Sequence, residues 1–155
     1  MNYILFEDDN YKSLFPLTLT HLVFEIRCGI YTNIERVEKQ IKPEDSLILL
    51  VRDELVEVTK SKYPAYSVNP ELIPKGILLN SACIWDLQKV NQFSNGRSYI
   101  SNRILVASCL EDKISHTQLK EYLTNAVKVT SEIQVIYFQY LWDSIFSLST
   151  QISND

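Results

Sequence analysis

An acidic triplet, Glu7-Asp8-Asp9, follows directly on the aromatic and β-branched run Asn2-Tyr-Ile-Leu-Phe6. Such a run reads as a buried strand, and carboxylates just past its carboxyl end stand where open α/β sheets keep their ligands. Two hydroxyls follow, Thr18 and Thr20, in a loop-like stretch from Asn10 to Thr20 that Pro16 breaks, and then the guanidinium of Arg27, two residues before Gly29. Carboxylates that can hold a hard cation and a fixed positive charge are what a reaction building negative charge on phosphorus requires. The alternative stays open at this point: solvated loop acids, and an arginine held in a structural ion pair.

Other chemistries find no support. Glycines at 29, 76 and 96 cannot make a G-x-G-x-x-G or G-x-x-x-x-G-K-[ST] phosphate loop, and there is no G-x-S-x-G. The imidazoles are His21, in a loop where ring packing is the simpler reading, and His116, in the first turn of an expected helix and so expected to face solvent. Cys28, Cys83 and Cys109 are widely spaced, odd in number and without a C-x-x-C or Cys/His pattern, which indicates neither a disulfide framework nor a zinc site. Trp85 and the aromatic segment 137–146 read as core.

The elements that must position the acids alternate between strand and helix. Leu22-Val-Phe-Glu-Ile26 is a second apolar stretch, and Ile30, Ile34, Val37 and Ile41 share one helix face before Pro43 closes the pattern. Ser46 to Val51 is an unbroken apolar run expected as a central strand, with Asp53 as N-cap of a short helix reaching about Lys62. Gly76-Ile-Leu-Leu-Asn80 is expected as a third strand. Asn95-Gly96 signals a turn, flanked by Trp85 to Phe93 before it and by Ser98 to Ile100 and Arg103 to Ala107 after it, in an expected antiparallel excursion. Ser115-His-Thr-Gln118 has capping-box form and opens a helix from about His116 to Ala126. Val127-Lys-Val129 reads as a strand and 133–145 as strand then helix. The pattern predicts an α/β fold of three layers, a mainly parallel sheet with helices on both faces, in one domain over 1–146 followed by a polar tail, 147–155.

With 155 residues, 46% hydrophobic and 22% charged, the chain can bury one substantial core. Its net charge of −4 gives no electrostatic reason to approach nucleic acid. No apolar window approaches a membrane span and no export signal is visible, so a reducing cytoplasm is the expected compartment. A homo-oligomer is compatible with all of this.

The ordered stretch from Phe6 to Gly29 resembles the start of a sugar nucleotidyltransferase family found as the N-terminal part of proteins similar to bifunctional N-acetylglucosamine-1-phosphate uridyltransferases. There an acidic pair after the first strand is followed by Pro-Leu-Thr-x-Thr-Arg-Pro, then Glu-Leu-Arg-x-Gly and a helix. Here Asp8 or Asp9 stands for the acidic pair, Pro16, Leu17 and Thr18 for Pro-Leu-Thr, Thr20 for the second threonine, and Glu25, Arg27 and Gly29 for Glu-x-Arg-x-Gly. Leu79-Asn80 looks like the family's strand ending in asparagine, and Leu141-Trp142-Asp143 like the Trp-Asp that closes its N-terminal region. His21-Leu22 replaces Arg-Pro, and the wider superfamily's Gly-x-Gly-Thr-Arg loop is missing.

The resemblance implies a Rossmann-like nucleotide-diphospho-sugar transferase fold acting on a nucleoside triphosphate and a sugar phosphate. It makes Asp8 and Asp9 ligands of Mg²⁺, Arg27 the catalytic cation, and Pro16, Leu17, Thr18, Thr20 and Asn80 contacts to nucleotide or phosphate. The expected function is a sugar-phosphate nucleotidyltransferase domain, the N-terminal part of a longer enzyme. The competing expectation is a non-catalytic regulatory or assembly domain that kept the fold.

Overall fold

The computed structural model describes residues 1–126 and 130–155. The strands are β1 (Asn2–Phe6), β2 (Ser46–Leu50), β3 (Ser67–Val68), β4 (Leu72–Ile73), β5 (Gly76–Asn80), β6 (Cys83–Ile84), β7 (Ser98–Ser101), β8 (Ile104–Leu110), β9 (Ile114–Ser115), β10 (Thr130–Glu132) and β11 (Ile136–Tyr137). The helices are α1 (Asn33–Glu38), α2 (Val56–Lys62), α3 (Leu87–Val90), α4 (Leu119–Ala126), α5 (Leu141–Phe146) and α6 (Leu148–Asn154).

Among the described residues seven strands form the central sheet in the order β10-β7-β8-β5-β1-β2-β3, and every neighbouring pair is parallel except the two that involve β8. Alternation along each strand sorts the core onto two faces. Tyr3, Leu5, Leu47, Leu49, Ile77 and Leu79 point to the face covered by α1, α2 and α3, where Ile34, Val37, Val56, Leu87 and Val90 meet them. Ile4, Phe6, Ile48, Leu50 and Leu78 point to the other, covered by Leu119, Tyr122 and Leu123 of α4. Strands buried on both faces need the continuous apolar runs seen at 47–51 and 77–79. The three-layer expectation therefore holds.

Several local expectations change. α1 spans only Asn33–Glu38, started by a capping box between Thr32 and Glu35, and Ile30 lies outside it, exposed. Arg52, not Asp53, precedes the short helical turn that leads into α2, and Asp53 sits in its first turn. The antiparallel excursion exists as the β7–β8 pair, but its hairpin turn is Asn102-Arg103, both at positive φ, while Gly96 (φ +67°) turns the chain between α3 and β7. Residues 127–129, expected as a strand, lie outside the described residues.

The stretch expected as a polar tail is helical over Leu148–Asn154 and docked. Gln151 is buried, the Cys28 thiol donates to Ser144 O, and the Asp155 carboxylate accepts from the Ile30 amide at 2.8 Å and from both terminal nitrogens of Arg36. Gly29, at φ +82°, leaves the room that carboxylate occupies, since a Cβ there would collide with Asp155 Oδ2. Hydrogen bonds from Arg36 hold the Asp155 carboxyl below the usual aspartate range, against a smaller push from burial.

Candidate active site

At the carboxyl edge of the sheet the end of β1 and the start of the reversed strand β8 flank the end of β5, and α4 packs on that face of the sheet. A cleft of about 450 Å³ opens there, lined by Phe6, Glu7, Asp8, Asp9, Ile104, Leu105, His116, Leu119, Lys120, Leu123 and Thr124. Its floor is apolar. Carboxylates come from the β1 end, and Lys120 and His116 come from α4 and the turn that enters it.

Asp8 is half-buried and tightly held. Its Oδ1 accepts from the Asn10 amide at 3.0 Å, and its Oδ2 accepts from Asn80 Nδ2 at 2.8 Å and from the Tyr137 hydroxyl at 3.0 Å. Burial first, and then the neighbouring Asp8 charge, raises the Tyr137 pKa well above that of an ordinary tyrosine, which keeps the hydroxyl a donor. Asp9 is exposed at the same rim.

Glu7 faces a different task. Its carboxylate accepts from the Val23 amide at 2.8 Å and from Arg52 Nη1 at 2.9 and 3.0 Å, with side chains only 3% and 11% exposed for Glu7 and Arg52. Arg52 also donates to His21 O at 3.1 Å and to Thr18 O, and its guanidinium lies 4.7 Å from the Tyr11 ring centroid. The Thr18 hydroxyl closes the same loop on Tyr11 O at 2.5 Å. The whole acidic loop is thus tied to the ends of β1 and β2. Burial pushes the Glu7 carboxyl up, opposed by the Val23 amide and by Arg52.

Of the residues expected at the site, Asp8 and Asp9 line the cleft. Asn80 is fully buried and spends its amide on Asp8, Leu105 O and the Ala82 amide, so it positions and does not present itself to a ligand. Thr18 is likewise fully buried, its hydroxyl used internally. Pro16, Leu17 and Thr20 are exposed on the loop but do not line the cleft.

Arg27 stands apart from this cleft. It pairs with Glu35 at 3.3 Å, donates to Ile30 O, is 55% exposed, and does not line the cleft. It serves the turn into α1: Glu35, the N3 residue of the capping box, is the partner that draws the guanidinium away. An exposed pair of this kind contributes at most about 1 kcal/mol. Arg27→Ala is accordingly expected to melt within that margin of wild type and to keep any thermal shift produced by nucleotides, both read by melting curves with and without nucleoside triphosphate.

The basic side chains that line the cleft are His116 and Lys120. His116, expected to face solvent, is half-buried and lines the cleft just after the antiparallel β4–β9 pair, with its amide bonded to Glu71 O at 2.9 Å. Lys120 is one residue into α4 and makes no ion pair among the described residues.

The profile of the family described as sugar nucleotidyl transferase matches residues 3–155. The chain belongs to the sugar nucleotidyl transferase family. Among solved structures, this sugar nucleotidyl transferase is similar to a Bacillus anthracis protein assigned as a glucose-1-phosphate thymidylyltransferase, with sucrose bound. The TM-score is 0.55 at 11% identity, covering 99% of this chain and 95% of that one. It is similar also to the CTP:phosphocholine cytidylyltransferase of Streptococcus pneumoniae, with a TM-score of 0.54 at 12% identity, over 97% and 98% of the two chains. No curated protein matches the sequence. At these identities the structures establish the fold, a nucleotidyltransferase-like α/β sheet, while membership of the family places the chain among the nucleotidyltransferases. Among the described residues no helix is long and apolar enough to cross a membrane.

Proposed function

We propose that the chain transfers a nucleotidyl group from a nucleoside triphosphate to a sugar 1-phosphate in the cleft beside Asp8. A phosphate oxygen of the sugar phosphate attacks the α-phosphorus, the bond from that phosphorus to the bridging oxygen of the β-phosphate breaks, and pyrophosphate leaves. Negative charge accumulates on the α-phosphate oxygens and the departing pyrophosphate, and Lys120 and His116 are the groups suited to meet it. The loop residues Pro16, Leu17 and Thr20 are proposed to contact the nucleotide, with Thr18, Arg52 and Glu7 holding that loop in shape. The observation that carries this reading is the meeting of Asp8, Asp9 and Lys120, a lysine without an ion pair among the described residues, in one cleft at the carboxyl edge of the sheet.

The donor set suits Mg²⁺. Asp8 and Asp9 are hard oxygen donors, two in number, and no group of three or more metal-holding His, Cys, Asp or Glu gathers here or elsewhere among the described residues. Mg²⁺ commonly takes one or two carboxylates and completes its shell with substrate phosphates and water. Bound there, it would supply a positive charge to the triphosphate. As in the bifunctional enzymes the sequence resembles, we propose that this activity is the N-terminal part of a longer protein, working in the cytoplasm, where nucleoside triphosphates are at hand and the buried free thiols of Cys28, Cys83 and Cys109 stay reduced.

The test is a thermal melt with each nucleoside triphosphate plus Mg²⁺, joined to a pyrophosphate-release assay with a panel of sugar 1-phosphates. One nucleotide at about 100 times its dissociation constant is expected to stabilise the fold by about 2.7 kcal/mol. No shift with any nucleotide at millimolar concentration would overturn the proposal. It would favour the competing assembly role, for which the exposed Trp142, Ile145, Phe146 and Ile152 on α5 and α6 speak.

A further inference from the structure

Three acceptor positions of the Asp8 carboxylate are filled. Oδ2 accepts from Asn80 and Tyr137, and Oδ1 from the Asn10 amide. An ionised carboxylate offers about four lone-pair positions, so a single one, on Oδ1, is left uncommitted by these bonds. The two donors that close Oδ2 stand on strands of two different sheets. Asn80 ends β5, and Tyr137 is opposite Cys83 in the antiparallel β6–β11 pair. The Phe138 amide bonds to Ala82 O at 2.9 Å, and the Phe138 ring is fully buried. The backbone of each donor is thus held by strand pairing, Asn80 opposite Phe6 in the central sheet and Tyr137 opposite Cys83 in the small one.

We propose that Tyr137, together with Asn80, is a positioning residue that restricts Asp8 to one metal bond and so makes the site prefer Mg²⁺ to Ca²⁺. The inference rests on Asp8 being a metal ligand, as read above. Mg²⁺ requires near-octahedral geometry at short distances, which one carboxylate oxygen per ligand satisfies. Ca²⁺ gains from six to eight ligands and readily takes both oxygens of a carboxylate. A carboxylate whose second oxygen is closed by two hydrogen bonds withholds the bite that Ca²⁺ would use. The outer partners of metal ligands shift affinity by about 10–100-fold when removed, the scale expected here.

The experiment is a Mn²⁺ titration followed by electron paramagnetic resonance, in which bound Mn²⁺ disappears from the free-ion signal, with Mg²⁺ or Ca²⁺ added as competitor. Wild type is expected to bind Mn²⁺ at a site lost in Asp8→Asn, and Mg²⁺ to displace it better than Ca²⁺. Tyr137→Phe keeps the ring and its packing and removes only the donor. It is expected to improve Ca²⁺ relative to Mg²⁺ by about tenfold, and Asn80→Ala to move the ratio the same way. A wild type that holds no Mn²⁺, or holds it equally well as Asp8→Asn, sinks the metal reading itself. If Asp8 does bind Mn²⁺ and neither variant changes the Mg²⁺ to Ca²⁺ ratio, the positioning role is wrong while the metal reading survives.

Discussion

Lys120→Ala is expected to lower kcat for pyrophosphate release by about 10²–10³-fold, the usual loss when a preorganised donor to developing phosphate or oxyanion charge is removed. Lys120 lines the cleft and α4 is held by Leu119, Tyr122 and Leu123, which pack beneath it. Truncating the exposed lysine therefore leaves the helix seated, and the melting temperature should stay at the wild-type value. Paired with Arg27→Ala, the measurement decides which cation serves phosphate. A variant lacking Lys120 that turns over normally would remove the cleft from the mechanism.

Arg52→Ala is expected to cost about 3–5 kcal/mol of stability, because it leaves Glu7 buried without its counter-charge. The same change frees Thr18 O and His21 O and takes the guanidinium off the Tyr11 ring, so the loop carrying Asp8 and Asp9 loses its hold on the ends of β1 and β2. The loss should depend on pH with a definite sign. Burial already raises the Glu7 pKa in the fold, and without Arg52 it must rise further. A raised folded-state pKa means stability that is present below the ordinary glutamate value, about 4.3, and is lost as pH rises through the folded value. Denaturant melts of the variant should thus show the greatest deficit at pH 8 and a smaller one toward pH 5. A deficit that does not change with pH would mean that Glu7 is not the group left stranded.

What was legible in the sequence follows from range. β1, β2 and β5 were readable because a strand buried on both faces must be an uninterrupted apolar run, and α4 because Ser115 and Gln118 are a local capping signal. The Glu7–Arg52 clamp spans 45 residues and is created by strand register. Phe6 is opposite Leu50, so the residues just past both ends emerge side by side. A charged residue trailing each of two apolar runs was the available clue. The place of Arg27 before a helix suits phosphate binding, and only the structure shows its pairing with Glu35, eight positions on. His116 and Lys120 reach the cleft through the packing of α4 on the sheet, which periodicity reveals as amphipathic without saying which strand ends it overhangs.

Gly29 ties two distant parts of the chain to a common fate. Adding one methyl group at that position would strain the turn and evict the Asp155 carboxylate, stranding the buried Arg36 guanidinium, so the final helix and the entrance to α1 would loosen as one unit. Substitutions at 29, 36 and 155 are therefore not independent: the cost of changing one depends on which residues stand at the other two.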